Sequence, residues 1–375
     1  MRCCEIVPSL EERHGGPSKS VLALSHALGA LGQDVSLLST HPDPTPRLIS
    51  STVQANVFRR GTPQAFCPSP QLRRHLGSQT FDLVHHHSLW LRTLHYAHRS
   101  AQKSRVPLVI SPRGMMSPWA WQHHGWRKQL VRHLVHPGAF EAAAGWHATS
   151  PAEAAEIRSH GFSQPICIAP NGVTLPTDAE RTAAATHWRT MCPETATRPT
   201  ALFYSRLHRK KRVLELIDLW LAHAPAEWLL LVVGMPEEYT AAQLEDYVLR
   251  NSGAGRIRAF DGAGAPPPYP VASLFLLPSH SENFGMVIAE AMAHGLPVLV
   301  TDSTPWATVN QHDAGWCVPW DNFPATLKHA LAETENERAA RGDAGRALVA
   351  RDFAWEKSAT TLLQFYRELR ERVAA

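Results

Sequence analysis

Short, nearly uninterrupted apolar runs alternate along this chain with longer stretches whose apolar residues recur at helical spacing. In the first half the runs fall at residues 3–7, 34–38, 82–86, 107–111, 146–149 and 166–169. In the second half they fall at 201–204, 228–233, 256–260, 274–277 and 297–301. Strands apolar on both faces are covered on both faces, and amphipathic helices between them are the crossovers of a parallel sheet. The pattern predicts an α/β protein of doubly wound parallel sheets. A chain of 375 residues is too long for one ordinary core. The stretch 174–200, rich in Thr, Ala and Pro and poor in periodic apolar residues, marks the division, giving domains 1–175 and 176–356.

Composition narrows the class. With 44% hydrophobic and 19% charged residues, the chain is a folded globular protein and not a disordered one. The net charge of +4 is spread along the chain, and no basic block resembles a nucleic-acid tail, so no nucleic-acid partner is expected. The six cysteines show no C-x-x-C spacing and sit mostly in apolar runs such as Ile166-Cys167-Ile168, which predicts buried free thiols in a reducing compartment. Residues 1–7 read as a first strand, interrupted by Glu5 too soon for a secretory segment. No apolar run approaches the roughly 20 residues that span a bilayer. A cytoplasmic protein is expected, at most touching the inner face of a membrane.

Two places carry candidate chemistry. After the first strand, Gly15-Gly16-Pro17-Ser18 leads into a helical pattern with Ser18 as the expected N-cap. Glycines admit an anion close to the backbone, and a helix N-terminus supplies free N–H groups; the alternative is a simple strand-to-helix turn. In the second half, Pro278-Ser279-His280-Ser281-Glu282-Asn283-Phe284-Gly285-Met286 leaves a buried strand and enters a helix. Ligands of doubly wound sheets bind beyond the carboxyl ends of strands. Glu282 lies in this loop, and Glu290 about two turns into the helix. Two glutamates eight apart mean little alone, but Glu290 falls inside the apolar run 287–292, where an unpaired acid is costly to bury.

The stretch 278–301 resembles the signature of the family 4 retaining glycosyltransferases, whose architecture is GT-B: two Rossmann-like domains facing across a cleft. The family's E-x7-E motif matches Glu282 and Glu290. Phe203-Tyr204-Ser205-Arg206-Leu207-His208-Arg209-Lys210-Lys211 is similar to its G-R-L-x-x-x-K-G segment, Pro170-Asn171-Gly172-Val173 to its P-N-G-V turn, and Gly15-Gly16-Pro17 to its N-terminal glycine loop. Phe353-Ala354-Trp355-Glu356 resembles the family's ending, which implies that a last helix, 357–375, packs back on the first domain. The resemblance implies an acceptor-binding first domain and a second domain that binds a nucleotide-sugar donor. It places Glu282 at the donor sugar, Glu290 at the ribose, and the backbone of Asn283, Phe284, Gly285 and Met286 at sugar and phosphate oxygens. Gly15 and Gly16 join the donor site by the same carry-over. Arg206 and Lys211 are placed at the diphosphate, where fixed cations stabilise the charge that grows on the leaving group. Chemistry does not separate Lys210 from Lys211; the family spacing selects Lys211. A basic surface turn is the alternative reading of 209–212.

Departures from the pattern are specific. The family's leading glycine is Ser205, the glycine after its lysine is Arg212, and the Asp common after P-N-G-V is Thr174. Where many members carry an active-site histidine, this chain has Ser111-Pro112-Arg113-Gly114-Met115, and with Ser117-Pro118-Trp119 it fits an R-G-M subset. Arg113 is read as a contact to donor phosphate or an anionic acceptor, with a structural salt bridge as the alternative. The clusters His85-His86-His87 and His123-His124 are adjacent residues, whose side chains alternate across a strand, and they lack zinc spacing. No metal and no other cofactor is expected, in line with the metal-independent donor binding the resemblance implies. Residues 119–135 set Trp, Leu and Val among His, Lys and Arg. Such a helix lies on anionic lipid or is an ordinary domain helix with a basic outer face.

The expected activity is retaining transfer of a sugar from a nucleotide-sugar donor to a glycan or lipid-linked acceptor, in surface-polysaccharide or lipopolysaccharide assembly. The alternatives are a non-catalytic GT-B subunit that stabilises a partner enzyme, and a GT-B phosphorylase or epimerase.

Overall fold

The computed structural model describes residues 1–11, 16–42, 48–49, 53–117, 121 and 125–374. Every apolar run named above becomes a strand. The first sheet holds β1 (Arg2–Ile6), β2 (Asp34–His41), β3 (Leu48–Ile49), β4 (Val53–Arg59), β5 (Leu83–His87), β6 (Leu108–Ser111), β7 (Gly145–Ala148) and β8 (Ile166–Ile168). Its order is β3-β4-β2-β1-β5-β6-β7-β8, parallel throughout except for the two-residue β3 on the edge. The second sheet holds β9 (Thr200–Tyr204), β10 (Leu229–Gly234), β11 (Ile257–Asp261), β12 (Leu274–Leu277), β13 (Val298–Thr301) and β14 (Gly315–Val318). It is wholly parallel, in the order β11-β10-β9-β12-β13-β14, the dinucleotide-fold order 3-2-1-4-5-6.

Three strands escaped the reading of apolar runs. β3 is only two residues long. In β4, Val53 and Ala55 are buried while Asn56, Val57 and Phe58 are half-buried, so polar residues interrupt the run. In β14, half-buried Trp316 and Val318 alternate with a glycine and a cysteine. Strands at or near a sheet's edge are covered on one face only and lose the continuous apolar signal.

The chain divides into two compact units, 1–172 with 355–375, and 173–354. The helix Trp355–Ala374 belongs to the first, where its Ala359, Leu362, Leu363, Tyr366 and Leu369 pack with Val21, Leu24 and Leu28 of the helix Gly16–Ala30. Gly172 fits this return: a Cβ there would lie 2.5–2.6 Å from the Trp355 backbone and ring. The Thr- and Ala-rich stretch read as a division contains the helix Asp178–Met191, capped by a Thr177–Glu180 capping box and burying Ala184 and Trp188. Its sparse apolar positions hid it; the T-x-x-E spacing was the readable signal. All six cysteines are free and buried. Among the described residues, no helix is long and apolar enough to cross a membrane.

Candidate functional site

In the second unit the strand order reverses between β9 and β12, the place where such sheets bind ligands. The loops leaving these two strands are joined by a backbone bond, from the His280 N–H to the Lys210 carbonyl at 2.8 Å. That bond sets Lys211, at the end of the short turn Arg209–Lys211, against Glu282. The Lys211 ammonium donates to Glu282 Oε1, and the Ser279 hydroxyl donates to the same oxygen at 2.6 Å. Both side chains are nearly covered, 8% and 11% exposed. Burial pushes the Glu282 carboxyl up, but the Lys211 charge, its hydrogen bond and that of Ser279 hold it below the usual carboxylate range. The hydroxyls of Thr301 and Ser303 pin the Ser279 carbonyl, each at 2.6 Å.

The helix Met286–Ala293 starts at Gly285, whose φ of +78° suits glycine, and a Cβ there would lie 2.9 Å from Ile288 Cδ1. The Phe284 ring is buried against Trp306 and Phe353, and its carbonyl accepts from the Trp306 indole. Phe284 thus anchors the loop from below, and Met286 packs on the core. What 283–286 can offer an anion is backbone N–H at a helix start, where no intrahelical acceptor exists. Glu290, half-buried, accepts from the Tyr269 hydroxyl at 2.7 Å. Tyr269 itself is buried, and burial and then the Glu290 charge push its pKa up. One partner that makes Glu290 tolerable inside an apolar run is therefore a tyrosine from a distant turn, Tyr269–Val271, invisible to local pattern.

Arg206 is exposed, and its Nη1 donates to both carboxylate oxygens of Glu237 at 2.9 and 2.8 Å. A pair this open to water contributes little to stability and is easily exchanged for a ligand's anion. Glu237 follows β10, so the rule that singled out Arg206, a charge just past a central strand, applied to it equally. Arg212, where the family pattern has glycine, keeps the left-handed turn at φ +50°. Its guanidinium lies 4.4 Å from the centre of the Trp320 ring, and its Nε donates to His280 at 3.2 Å.

In the first unit the reversal falls between β1 and β5. The helix Gly16–Ala30 begins beyond β1; Gly15 lies outside the described residues. Ser18 sits within the first turn, not at the cap, and its hydroxyl donates to the carbonyls of Ser9 at 3.1 Å and Glu11 at 2.9 Å. Arg113, just after β6, is buried at φ +55°. Among the described residues, no carboxylate pairs with it directly. Its Nη1 donates to Asn171 Oδ1 at 2.7 Å, and its Nη2 and Nε donate to His87 Nδ1 at 2.9 and 3.3 Å. Asn171 of the P-N-G turn is thus a guide for Arg113. Gly114, next in the chain, donates its N–H to Glu153 at 2.6 Å.

Behind Arg113 lies a group that adjacent-residue reasoning passed over. His85 and His87, two apart on β5, share a face; His147 of β7 joins them, and the three offer ring nitrogens within 4.8 Å of one another. All six of their ring nitrogens face a hydrogen-bond partner: Tyr366 and Ser111 for His85, Arg113 and Glu5 for His87, Ser111 and the Ala169 carbonyl for His147. His86 points the other way, to the Ser88 carbonyl and Thr93. His123, His124, Pro118 and Trp119 lie outside the described residues. In the helix Gly125–Leu134, Leu130 and Leu134 are 52% and 65% exposed, while Lys128 and Arg132 lie over the rings of Trp90 and Phe140.

Comparisons with known proteins bear on the family and the fold. Residues 14–175 match the model described as Glycosyltransferase Family 4, and residues 198–336 that of Glycosyl transferases group 1. A D-inositol 3-phosphate glycosyltransferase of Xylanimonas cellulosilytica is 27% identical over 396 residues, covering 96% of this chain and 93% of that one. One of the same name from Jonesia denitrificans is 34% identical over 156 residues, 39% of this chain and 36% of its own length. The Anabaena protein HepE, solved with UDP and glucose, superposes with a TM-score of 0.75 at 15% identity, covering 98% of this chain and all of that one.

Proposed function

We propose, from the premise that this chain belongs to glycosyltransferase family 4, that it moves a sugar from a nucleotide-sugar donor to a glycan or lipid-linked acceptor with the anomeric configuration retained. The observation that carries the reading is the covered Lys211–Glu282 pair at the reversal of the second sheet, with Glu290 on the helix that follows. Lys211 and Arg206 stabilise the diphosphate as it leaves, Lys211 as a compact charge and Arg206 as a fork released from Glu237. Glu282 accepts sugar hydroxyls, Glu290 the ribose hydroxyls, and the N–H groups of 283–286 the remaining oxygens. Glu282, neutralised by Lys211, is a poor nucleophile, which favours a same-face route in which the leaving phosphate takes the acceptor proton. Arg113 contacts a phosphoryl group of donor or acceptor. The names of the relatives, and the UDP bound in HepE, support a nucleotide donor and fit an acceptor carrying phosphate.

Donor binding needs no resident metal in this reading, and the first unit binds the acceptor. The protein works in the cytoplasm in surface-polysaccharide or lipopolysaccharide assembly. It touches the inner face of the membrane through 119–135, where exposed Leu130 and Leu134 are the support. Flotation with anionic vesicles at low salt tests that contact, and absence of binding removes it.

The decisive experiment is thermal stability against UDP, GDP, ADP and their sugar conjugates, with and without a chelator. A nucleotide at about 100 times its dissociation constant adds about 2.7 kcal/mol. One nucleotide should stabilise the protein, equally in chelator, and the shift should vanish in Glu290→Ala. No shift with any nucleotide overturns the donor site.

A further inference from the structure

The hydrogen-bond partners behind Arg113 determine where protons sit. A guanidinium has donors only, so His87 Nδ1, which receives two of them, is an acceptor. Its Nε2 therefore carries the proton and donates to Glu5 Oε2 at 2.6 Å. At the far end, the Ala169 carbonyl can only accept, so His147 carries its proton on Nε2 and its Nδ1 accepts from the Ser111 hydroxyl at 2.7 Å. Ser111, its one proton spent, accepts from His85 Nε2 at 2.9 Å. His85 Nδ1 then accepts from the Tyr366 hydroxyl at 2.6 Å. Tyr366 has no proton left for Glu5 Oε1, 3.2 Å away, and that contact is a hydrogen bond only if Glu5 supplies it. With neutral imidazoles, the Ala169 end fixes the polarity of the chain as far as Tyr366, and the Arg113 end fixes the tautomer of His87.

We propose that Glu5 is held as the neutral carboxylic acid at the head of a one-way hydrogen-bond chain, Glu5 to Tyr366 to His85 to Ser111 to His147, and that it thereby positions Arg113 through His87. Burial acts in the same sense on every member. It pushes the Glu5 carboxyl up to about 8, against the Arg113 charge, and presses His85, His87 and His147 well below the usual histidine range. The other groups facing the chain are Cys3 on β1, His86 on β5, Cys167 on β8 and Glu153. Burial raises both thiols and lowers His86, so they stay neutral, and Glu153 is the counter-charge of Arg113. A second buried carboxylate would have no cation of its own. Three of the five guanidinium N–H groups are spent on His87 and Asn171, which fixes the fork and leaves two for a phosphoryl group. That last step rests on the reading of Arg113 given above; the protonation of Glu5 does not.

Two measurements on the full chain test the proposal. Glutamine copies the neutral acid, with an amide toward Tyr366 and a carbonyl toward His87. The infrared spectrum at pH 7 should contain the C=O stretch of a protonated buried carboxyl, lost in Glu5→Gln. The melting temperature of Glu5→Gln should equal that of the wild type near pH 4.5 and exceed it increasingly up to about pH 8, by on the order of 5–10 °C, because the raised pKa makes the wild type lose stability across that window. Glu5→Ala and Tyr366→Phe, which break the chain, should melt lower than the wild type. A missing band, or a Glu5→Gln protein less stable than wild type at pH 7, overturns the neutral acid. An unchanged stabilisation by UDP and by inorganic phosphate in Arg113→Ala overturns only the anion-positioning half.

Discussion

Glu5 lies on β1 and Glu282 in the loop that leaves β12, two strands at which the sheets reverse order, and their environments drive them apart. Glu282 has an ammonium in direct contact and a hydroxyl beside it, and its carboxyl is held down. Glu5 touches only neutral groups, His87, Tyr366 and, at 3.3 Å, His85; the nearest cation, Arg113, is one imidazole away, and the Glu5 carboxyl is pushed up to about 8. Burial is common to both. What decides the sign is whether the cation touches the carboxylate or acts through a ring that passes hydrogen bonds and not charge. The two sheet reversals thus hold a fixed anion in one unit and a stored proton in the other.

Removing the contact cation is the harshest way to break this comparison. Lys211→Ala leaves Glu282 covered and unpaired, which costs about 3–5 kcal/mol, and it should lower sugar transfer by about 10²–10³-fold. Denaturant unfolding checks the first number and a transfer assay the second. Combining Lys211→Met with Glu282→Gln should return most of the stability and none of the transfer. If the double variant transfers sugar at near the wild-type rate, the pair has no catalytic part.

The pH response separates the two glutamates without removing either cation. The depressed pKa of Glu282 gives stability that is complete above its ordinary value of 4.5 and is lost as pH falls below it. Glu5 acts in the opposite sense, with stability lost between 4.5 and about 8. Glu282→Gln should therefore flatten only the acid limb of a plot of melting temperature against pH, and Glu5→Gln only the neutral limb. One variant that flattens both limbs would mean the groups are coupled and the comparison false.

This contrast also explains what could be read beforehand. Continuous runs such as Leu229–Gly234 announced their strands, because a strand buried on both faces has nothing polar to place. The second-unit site was legible because its parts are loop residues at fixed offsets from such strands. Arg113 was legible as a departure from a pattern, but its surroundings were not. Glu5, His85, Ser111, His147 and Tyr366 come from four strands and the last helix, and only the tertiary fold lets one histidine see the next. Adjacent histidines attract the eye, yet the alternation of a strand makes His85 and His87 the pair. Tyr269 was missed for the same reason: its only link to Glu290 is through space.

A milder change sharpens the second-unit half. Tyr269→Phe removes the hydroxyl that donates to Glu290 and keeps the ring packed against Tyr204. A hydrogen bond to a charged group contributes about 1.5–3 kcal/mol when its partner is covered, and Glu290 is only half-covered, so a loss of about 1–2 kcal/mol is expected. The nucleotide-induced shift in melting temperature should shrink with it if Glu290 holds the ribose. A shift of full size in Tyr269→Phe would mean that Glu290 is oriented without the tyrosine.

The smallest effect belongs to Arg212, and its smallness is informative. Glycine at φ +50° removes the strain that a side chain bears there, about 1 kcal/mol. The same change gives up the guanidinium over Trp320, about 0.5–1 kcal/mol, and the bonds to His280 and, at 3.4 Å, to the Pro278 carbonyl. These oppose each other, so Arg212→Gly should fall within about 0.5 kcal/mol of the wild type in denaturant unfolding. Arg212→Ala keeps the strain and loses all three contacts, and should be less stable than either by about 1 kcal/mol or more. If alanine and glycine behave alike, the left-handed backbone at Arg212 costs nothing here, and the stability of the turn comes from the contacts of the guanidinium alone.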